Sequence, residues 1–60
     1  MGRKENFIKI YANLPMGVRQ EIILVLEDKP ITWNVAFIEI NADTPNSKII
    51  LDKLEQLGII

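Results

Sequence analysis

The middle of the chain, residues 31–40 (ITWNVAFIEI), carries two competing hydrophobic patterns. Its β-branched and aromatic residues favour a strand by residue type. Its spacing favours a helix, since four apolar residues recur at i, i+3, i+4 and i+7: Trp33, Ala36, Phe37 and Ile40. Strict alternation would leave one polar residue on each face of a strand. The pattern therefore predicts a helix that Thr32 caps at its N-terminus.

The N-terminal part of the chain predicts another helix, with Asn6 as its N-cap. Four residues match the helical spacing: Phe7, Ile10, Tyr11 and Leu14. A strand over residues 7–11 is the alternative. Residues 1–5 are polar, and we expect them to be disordered, as chain termini usually are.

A second apolar segment, residues 18–26, follows the helix-breaking residues Pro15 and Gly17. One helical stripe runs along it, formed by Val18, Ile22, Val25 and Leu26, whereas the unbroken apolar run at 22–26 suits either a central helix or a strand. Glu27 and Asp28 are unfavourable at a helix C-terminus, where the dipole prefers cations, and this favours the strand. Residues 27–30 are expected to form a turn.

The last element has the clearest boundaries. Thr44 followed by Pro45 is typical of an N-cap and a first helical residue. An apolar stripe then runs along the predicted helix: Ile50, Leu51, Leu54 and Leu57. Gly58 is expected to end the helix, with Ile59 folding back on its last turn.

These patterns favour a mostly α fold, a single domain of three to four helices spanning residues 1–60. The alternative is an α+β domain in which residues 18–26 and 31–40 form a β-hairpin packed against the C-terminal helix. A hydrophobic content of 48% is high for 60 residues, and a core this rich can continue across a second copy. A homodimer is therefore one expected assembly.

Composition limits the partners and the location. The formal net charge is −1, which provides no general attraction to nucleic acid or to an anionic membrane. The longest apolar run, residues 22–26, is far shorter than the ~20 residues of a membrane span. We expect a cytoplasmic protein that makes no contact with a membrane.

Catalysis is not expected, because the residue inventory lacks the usual groups. The chain has neither cysteine nor histidine, which excludes thiolate chemistry, a serine–histidine–aspartate triad and an ordinary zinc site. Two acidic pairs remain, Glu27 with Asp28 and Glu39 with Asp43, and both are typical of solvated surface. We expect no metal, no cofactor and no small-molecule substrate, since so short a chain cannot enclose an ordinary pocket.

The order of elements in residues 18–60 resembles the winged-helix family of helix-turn-helix proteins. The resemblance lies in an apolar first segment, a threonine (Thr32) opening a short second helix, and a closing Leu-x-x-Leu-Gly-Ile-Ile at residues 54–60. It covers residues 18–60, without the wing of that family. It implies a helix-turn-helix-like second half and binding to double-stranded DNA.

Carried over by position, the resemblance makes residues 45–57 the recognition helix. Its first residues would read bases, and three further side chains would contact phosphates. The base-reading residues are Asn46, Ser47 and Lys48, and the phosphate contacts are Thr32, Lys29 and Lys53. The structural alternative is that Asn46 and Ser47 only decorate a helix start. The face of this helix that lies opposite the apolar stripe carries Lys48, Asp52 and Glu55 and is net acidic.

The sequence thus predicts a non-catalytic interaction domain. Nucleic-acid binding through the helix-turn-helix-like half is the leading hypothesis. The alternative is a small protein–protein interaction domain or a homodimerising α+β protein. Trp33 has two interpretations as well, a core anchor or an exposed binding residue, and burial of aromatic surface favours the core.

Overall fold

The fold is α+β, with three helices and one β-hairpin, in a computed structural model that describes residues 2–60. Helix α1 spans Arg3–Ala12, and a short 3₁₀ turn spans Val18–Gln20. Strands β1 and β2 span Ile22–Leu26 and Lys29–Thr32, and helices α2 and α3 span Trp33–Asn41 and Pro45–Gln56. The α+β alternative with a hairpin therefore fits the structure, although its second strand lies earlier than expected.

The hairpin replaces the helix that residues 18–26 could have formed. Glu27 and Asp28 make the two-residue turn, and both have positive φ angles, 47° and 68°. Two consecutive positive φ angles are the geometry of the tight turn that matches strand twist, and they exclude a continuing helix. Lys29 and Pro30, expected in the turn, instead begin β2, where they pair with Leu26 and Val25.

Residues 31–40 contain both predicted structures in succession. Ile31 and Thr32 end β2, and the helix begins at Trp33, so the helical prediction is confirmed from that residue onward and a strand over the whole of 31–40 is wrong. The side chain of Thr32 accepts the N–H of Val35 at 3.1 Å, as expected of an N-cap. The cap therefore marks the exact change from strand to helix.

Helix α1 begins at Arg3, three residues before the expected Asn6 cap. Residues 3–5, expected to be disordered, are helical, while Met1 lies outside the described residues. Ion pairs anchor this turn: Arg3 bonds Asp52 and approaches Glu55 at 3.6 Å. Lys4 bonds Asp43 at 3.0 Å. Such long-range partners cannot be read from local spacing, which explains the wrong boundary.

The Arg3–Asp52 pair also changes a pKa. The hydrogen bond from Arg3 holds the pKa of the Asp52 carboxyl below its ordinary value and outweighs the opposing effect of desolvation, and the charges of Arg3 and Lys48 lower this pKa further by smaller amounts. Any stability that this pair adds is present above the ordinary carboxyl pKa and is lost as the pH falls through the lowered pKa of Asp52.

Helix α3 ends as the sequence predicts. Gly58 has a φ angle of 76°. The N–H of Gly58 donates to the carbonyl of Glu55, and the N–H of Ile59 donates to the carbonyl of Leu54. These are the two bonds of the glycine-terminated C-cap, and Ile59 packs against the core. The prediction is wrong for one residue of the apolar stripe. Leu57 is 61% exposed, because it forms the C-cap itself and lies away from the core.

The core joins all three helices to the hairpin. Among residues 2–60, nine are buried in it: Phe7, Leu24, Ile31, Trp33, Ala36, Ile40, Ile50, Leu51 and Leu54. The Phe7 ring stacks on Trp33 with ring centroids 5.7 Å apart, which confirms Trp33 as a core anchor. Helices α2 and α3 pack together across the short turn at 42–44. A short linker between packed helices occurs in many folds, so the helix-turn-helix interpretation stays a prediction.

Candidate functional site

Three of the six predicted site residues lie together in one cleft of about 400 Å³ between the hairpin tip and α3. These three are Lys29 at the start of β2 and Asn46 and Lys53 on α3. On a helix, residues 46, 49, 50 and 53 share one face, because they lie three, four and seven positions apart. Folding the hairpin over that face brings Lys29 to it.

The floor of the cleft is apolar and its rim is charged. Ile31 and Ile50 are buried and line the floor, while Val25 and Ile49 remain 61% and 48% exposed on its walls. The remaining lining residues are Leu26 and the polar set Glu27, Lys29, Glu39, Asn46 and Lys53. An open apolar floor with a few convergent polar groups is the usual character of a binding site.

The charges of the rim cancel. Glu27 and Lys29 come from the hairpin, whereas Glu39 and Lys53 come from the helical side, so each wall carries one charge of each sign. The amide of Asn46 donates to Glu39 at 3.3 Å, which ties the start of α3 to the end of α2. The cleft therefore presents no net charge to a ligand.

The other three predicted residues lie outside this cleft and serve the backbone or the surface. Thr32 caps α2, and the Ser47 hydroxyl donates to the Thr44 carbonyl at 2.7 Å. Lys48 is exposed on α3, where its charge contributes to the low pKa of Asp52. The hydroxyls of Thr32 and Ser47 therefore already have hydrogen-bond partners within the chain.

The cap at Thr32 leads to a stability prediction. Thr32→Ala should lower the free energy of unfolding by about 1 kcal/mol, because one N–H of α2 loses its acceptor. Chemical denaturation followed by circular dichroism measures this loss. Thr44→Ala is the comparison: Thr44 occupies the N-cap of α3 but makes no side-chain cap bond, and its hydroxyl donates only a long bond of 3.4 Å to the Glu39 carbonyl, so its loss should cost less. If the two variants lost equal free energies of unfolding, the assignment of Thr32 as the capping residue of α2 would be contradicted.

The apolar walls of the site, Val25 and Ile49, are not among the site residues that the sequence predicts. Ile49 is not on the predicted stripe of α3, and Val25 belongs to the apolar run at 22–26, which predicts a central helix or a strand and no exposed wall. A signal existed for Ile49, which lies between Asn46 and Lys53 at helical spacing. None existed for Val25, whose position depends on the hairpin register.

Other kinds of site find no support in the described part of the chain. Within residues 2–60, no group of three or more acidic side chains is placed to hold a metal ion. None of the helices in that range has both the length and the apolarity of a membrane span.

Comparison of the chain with protein-family models, with curated proteins and with solved structures found no match. The resemblance to the winged-helix family thus rests on the order of elements alone. Any function has to be inferred from the cleft and the surface around it.

Proposed function

We propose that the chain is a non-catalytic interaction domain that binds a segment of another protein in the cleft between the hairpin tip and α3. The observation that carries the proposal is the exposure of Val25 and Ile49 over a buried apolar floor. Exposed aliphatic side chains around a concave surface gain free energy when a partner covers them.

The charges of the rim favour a peptide over a nucleic acid. Phosphate binding depends on a surplus of Lys and Arg, which Glu27 and Glu39 cancel here. Asn46, the residue best suited to read adenine, already bonds Glu39. A partner with aliphatic side chains for the floor and charges of both signs for the rim matches the cleft better.

Two capped tripeptides test this proposal by nuclear magnetic resonance on the labelled protein. Acetyl-Leu-Leu-Lys-amide should shift the amide signals of residues lining the cleft, saturably and in the millimolar range expected for so small a ligand. Acetyl-Gly-Gly-Lys-amide, which has the same charge, should leave them unchanged. This pair separates apolar recognition from simple attraction of a cation.

Matched variants locate the binding. Ile49→Lys should abolish the shifts because it places a charge on the apolar wall, whereas Ile38→Lys should preserve them. Ile38 is also an exposed isoleucine on a helix, but it lies outside the cleft. The proposal fails if both variants bind the leucine peptide equally. It also fails if duplex DNA, at low salt, shifts Asn46, Ser47 and Lys48 while neither peptide has an effect.

A further inference from the structure

The helical wall of the cleft has opposite charges at its two ends. Glu39 lies beside the start of α3, where Asn46 donates to its carboxylate at 3.3 Å. Lys53 follows seven residues after Asn46 on the same face of α3, which places it two turns, or about 10 Å, further along the helix. The exposed side chain of Ile49 and the buried side chain of Ile50 lie between them. The wall therefore runs from a negative end to a positive end across an apolar centre.

The two charged ends differ in how they are held. Glu39 is half-buried, and the bond from Asn46 holds its carboxylate at the junction of α2 and α3. Lys53 is exposed and has no hydrogen-bond or ion-pair partner among residues 2–60. The sequence explains this, because the residues three and four positions away from it are all uncharged: Ile49, Ile50, Gln56 and Leu57. Its ammonium group is therefore available to pair with a carboxylate of a ligand.

The remaining charges around the cleft do not oppose this polarity. Glu27 and Lys29 have opposite signs and lie two residues apart at the hairpin tip, so their fields largely cancel over the length of the cleft. The partial charges of the helix ends also cancel at the junction of α2 and α3, since the negative end of one dipole meets the positive end of the other. The order of charges on the helical wall thus determines which ligand fits.

We propose, building on the peptide binding proposed above, that the cleft selects an extended segment with a basic residue at the Glu39 end, aliphatic residues at the centre and an acidic residue at the Lys53 end. An extended chain advances about 3.3 Å per residue, so about three residue steps cover the distance between the two ends. A helix, about 10 Å wide, is too large for a cleft of about 400 Å³. The matching pattern is basic-aliphatic-aliphatic-acidic, in either direction of the peptide chain.

Three capped tetrapeptides with the same apolar centre test this selectivity in the same magnetic resonance titration. They are acetyl-Lys-Leu-Leu-Glu-amide, acetyl-Lys-Leu-Leu-Lys-amide and acetyl-Glu-Leu-Leu-Glu-amide. We expect the mixed peptide to bind about two- to fivefold more tightly than either same-sign peptide, which is the effect of one exposed ion pair. High salt should remove most of this difference, because it screens exposed charges.

A charge reversal at the positive end locates the selectivity. Lys53→Glu should make acetyl-Lys-Leu-Leu-Lys-amide the tightest ligand of the three, because both ends of the wall are then acidic. Lys48→Glu is the matched control, since Lys48 is also an exposed lysine of α3 and lies outside the cleft. The two variants have the same net charge, and Lys48→Glu should still prefer the mixed peptide.

A nitroxide label shows which end of the peptide lies at which end of the cleft. Attached to the lysine end of the mixed peptide, it should broaden the amide signal of Asn46 more than that of Lys53. Attached to the glutamate end, it should do the opposite. Equal affinities for the three peptides, or the same preference in Lys53→Glu and Lys48→Glu, would overturn the proposed charge order.

The tripeptide acetyl-Leu-Leu-Lys-amide separates this failure from failure of the proposed function. If it shifts the cleft signals while the three tetrapeptides bind equally, the cleft binds peptides and only the charge order is wrong. If neither the tripeptide nor any tetrapeptide shifts them, the cleft binds no peptide and both proposals fail.

Discussion

Replacing Phe7 by alanine is expected to unfold most of the protein at room temperature. Phe7 is the fully buried residue of α1, and its ring stacks on Trp33 and on Tyr11. Removing such a side chain costs about 3 to 5 kcal/mol. A domain below about 70 residues rarely has more than 3 to 5 kcal/mol in total. Circular dichroism during urea titration should show a transition that begins near zero denaturant.

Phe7→Leu is the control at the same position, because it removes the aromatic ring but keeps a large apolar side chain. Leucine keeps most of the apolar volume, so the free energy of unfolding should fall by only about 1 to 1.5 kcal/mol. The domain should then remain folded, with a transition at lower urea than in the wild type. If Phe7→Ala instead unfolds within about 1 kcal/mol of the wild type, α1 does not hold the core together as described.

The double variant Glu27→Asn with Asp28→Gly is expected to stabilise the protein by about 1 to 2 kcal/mol. Both native residues hold positive φ angles, which cost about 1 to 2 kcal/mol for an ordinary L-residue such as Glu27 and less for an aspartate such as Asp28. Asn-Gly is the preferred pair for this turn. The melting temperature should rise by roughly 4 to 16 °C, given about 4 to 8 °C per kcal/mol for a domain of this size.

Asp43→Gly is the control for this substitution. Asp43 also has a positive φ, 53°, but its carboxylate bonds Lys4. The relief of backbone strain and the loss of an exposed ion pair, each at most about 1 kcal/mol, should nearly cancel. A melting temperature for the hairpin variant equal to or below that of the wild type would show that the turn is not strained.

Local signals were sufficient for several elements. The threonine–proline start and glycine stop of α3 act within a few residues of the helix ends, and the observed helix follows them. The spacing of Trp33, Ala36 and Ile40 likewise predicted α2, whose inner face these residues form. The acidic pair at 27–28 correctly favoured a strand at 22–26. In each case the determining interaction lies within one element or its cap.

Local sequence patterns gave wrong predictions where contacts with distant residues determine the secondary structure. The start of α1 depends on Asp52 and Asp43, which lie 49 and 39 residues away from their partners Arg3 and Lys4. The β2 segment reads as a turn by composition, since Lys-Pro is common there, and becomes a strand only by pairing with β1. Pro30 is tolerated because its missing donor faces outward.

The candidate site divides in the same way. The sequence alone determined a small domain without cysteine or histidine, a near-neutral charge, and polar residues at the start of α3. Only the tertiary structure decided that Lys29, Asn46 and Lys53 share a cleft, and that Glu27 and Glu39 cancel its charge. The physical reason is that the cleft arises from non-local packing, since its walls come from different segments of the chain. Periodicity along the chain describes one face of one element and contains no information on which faces meet.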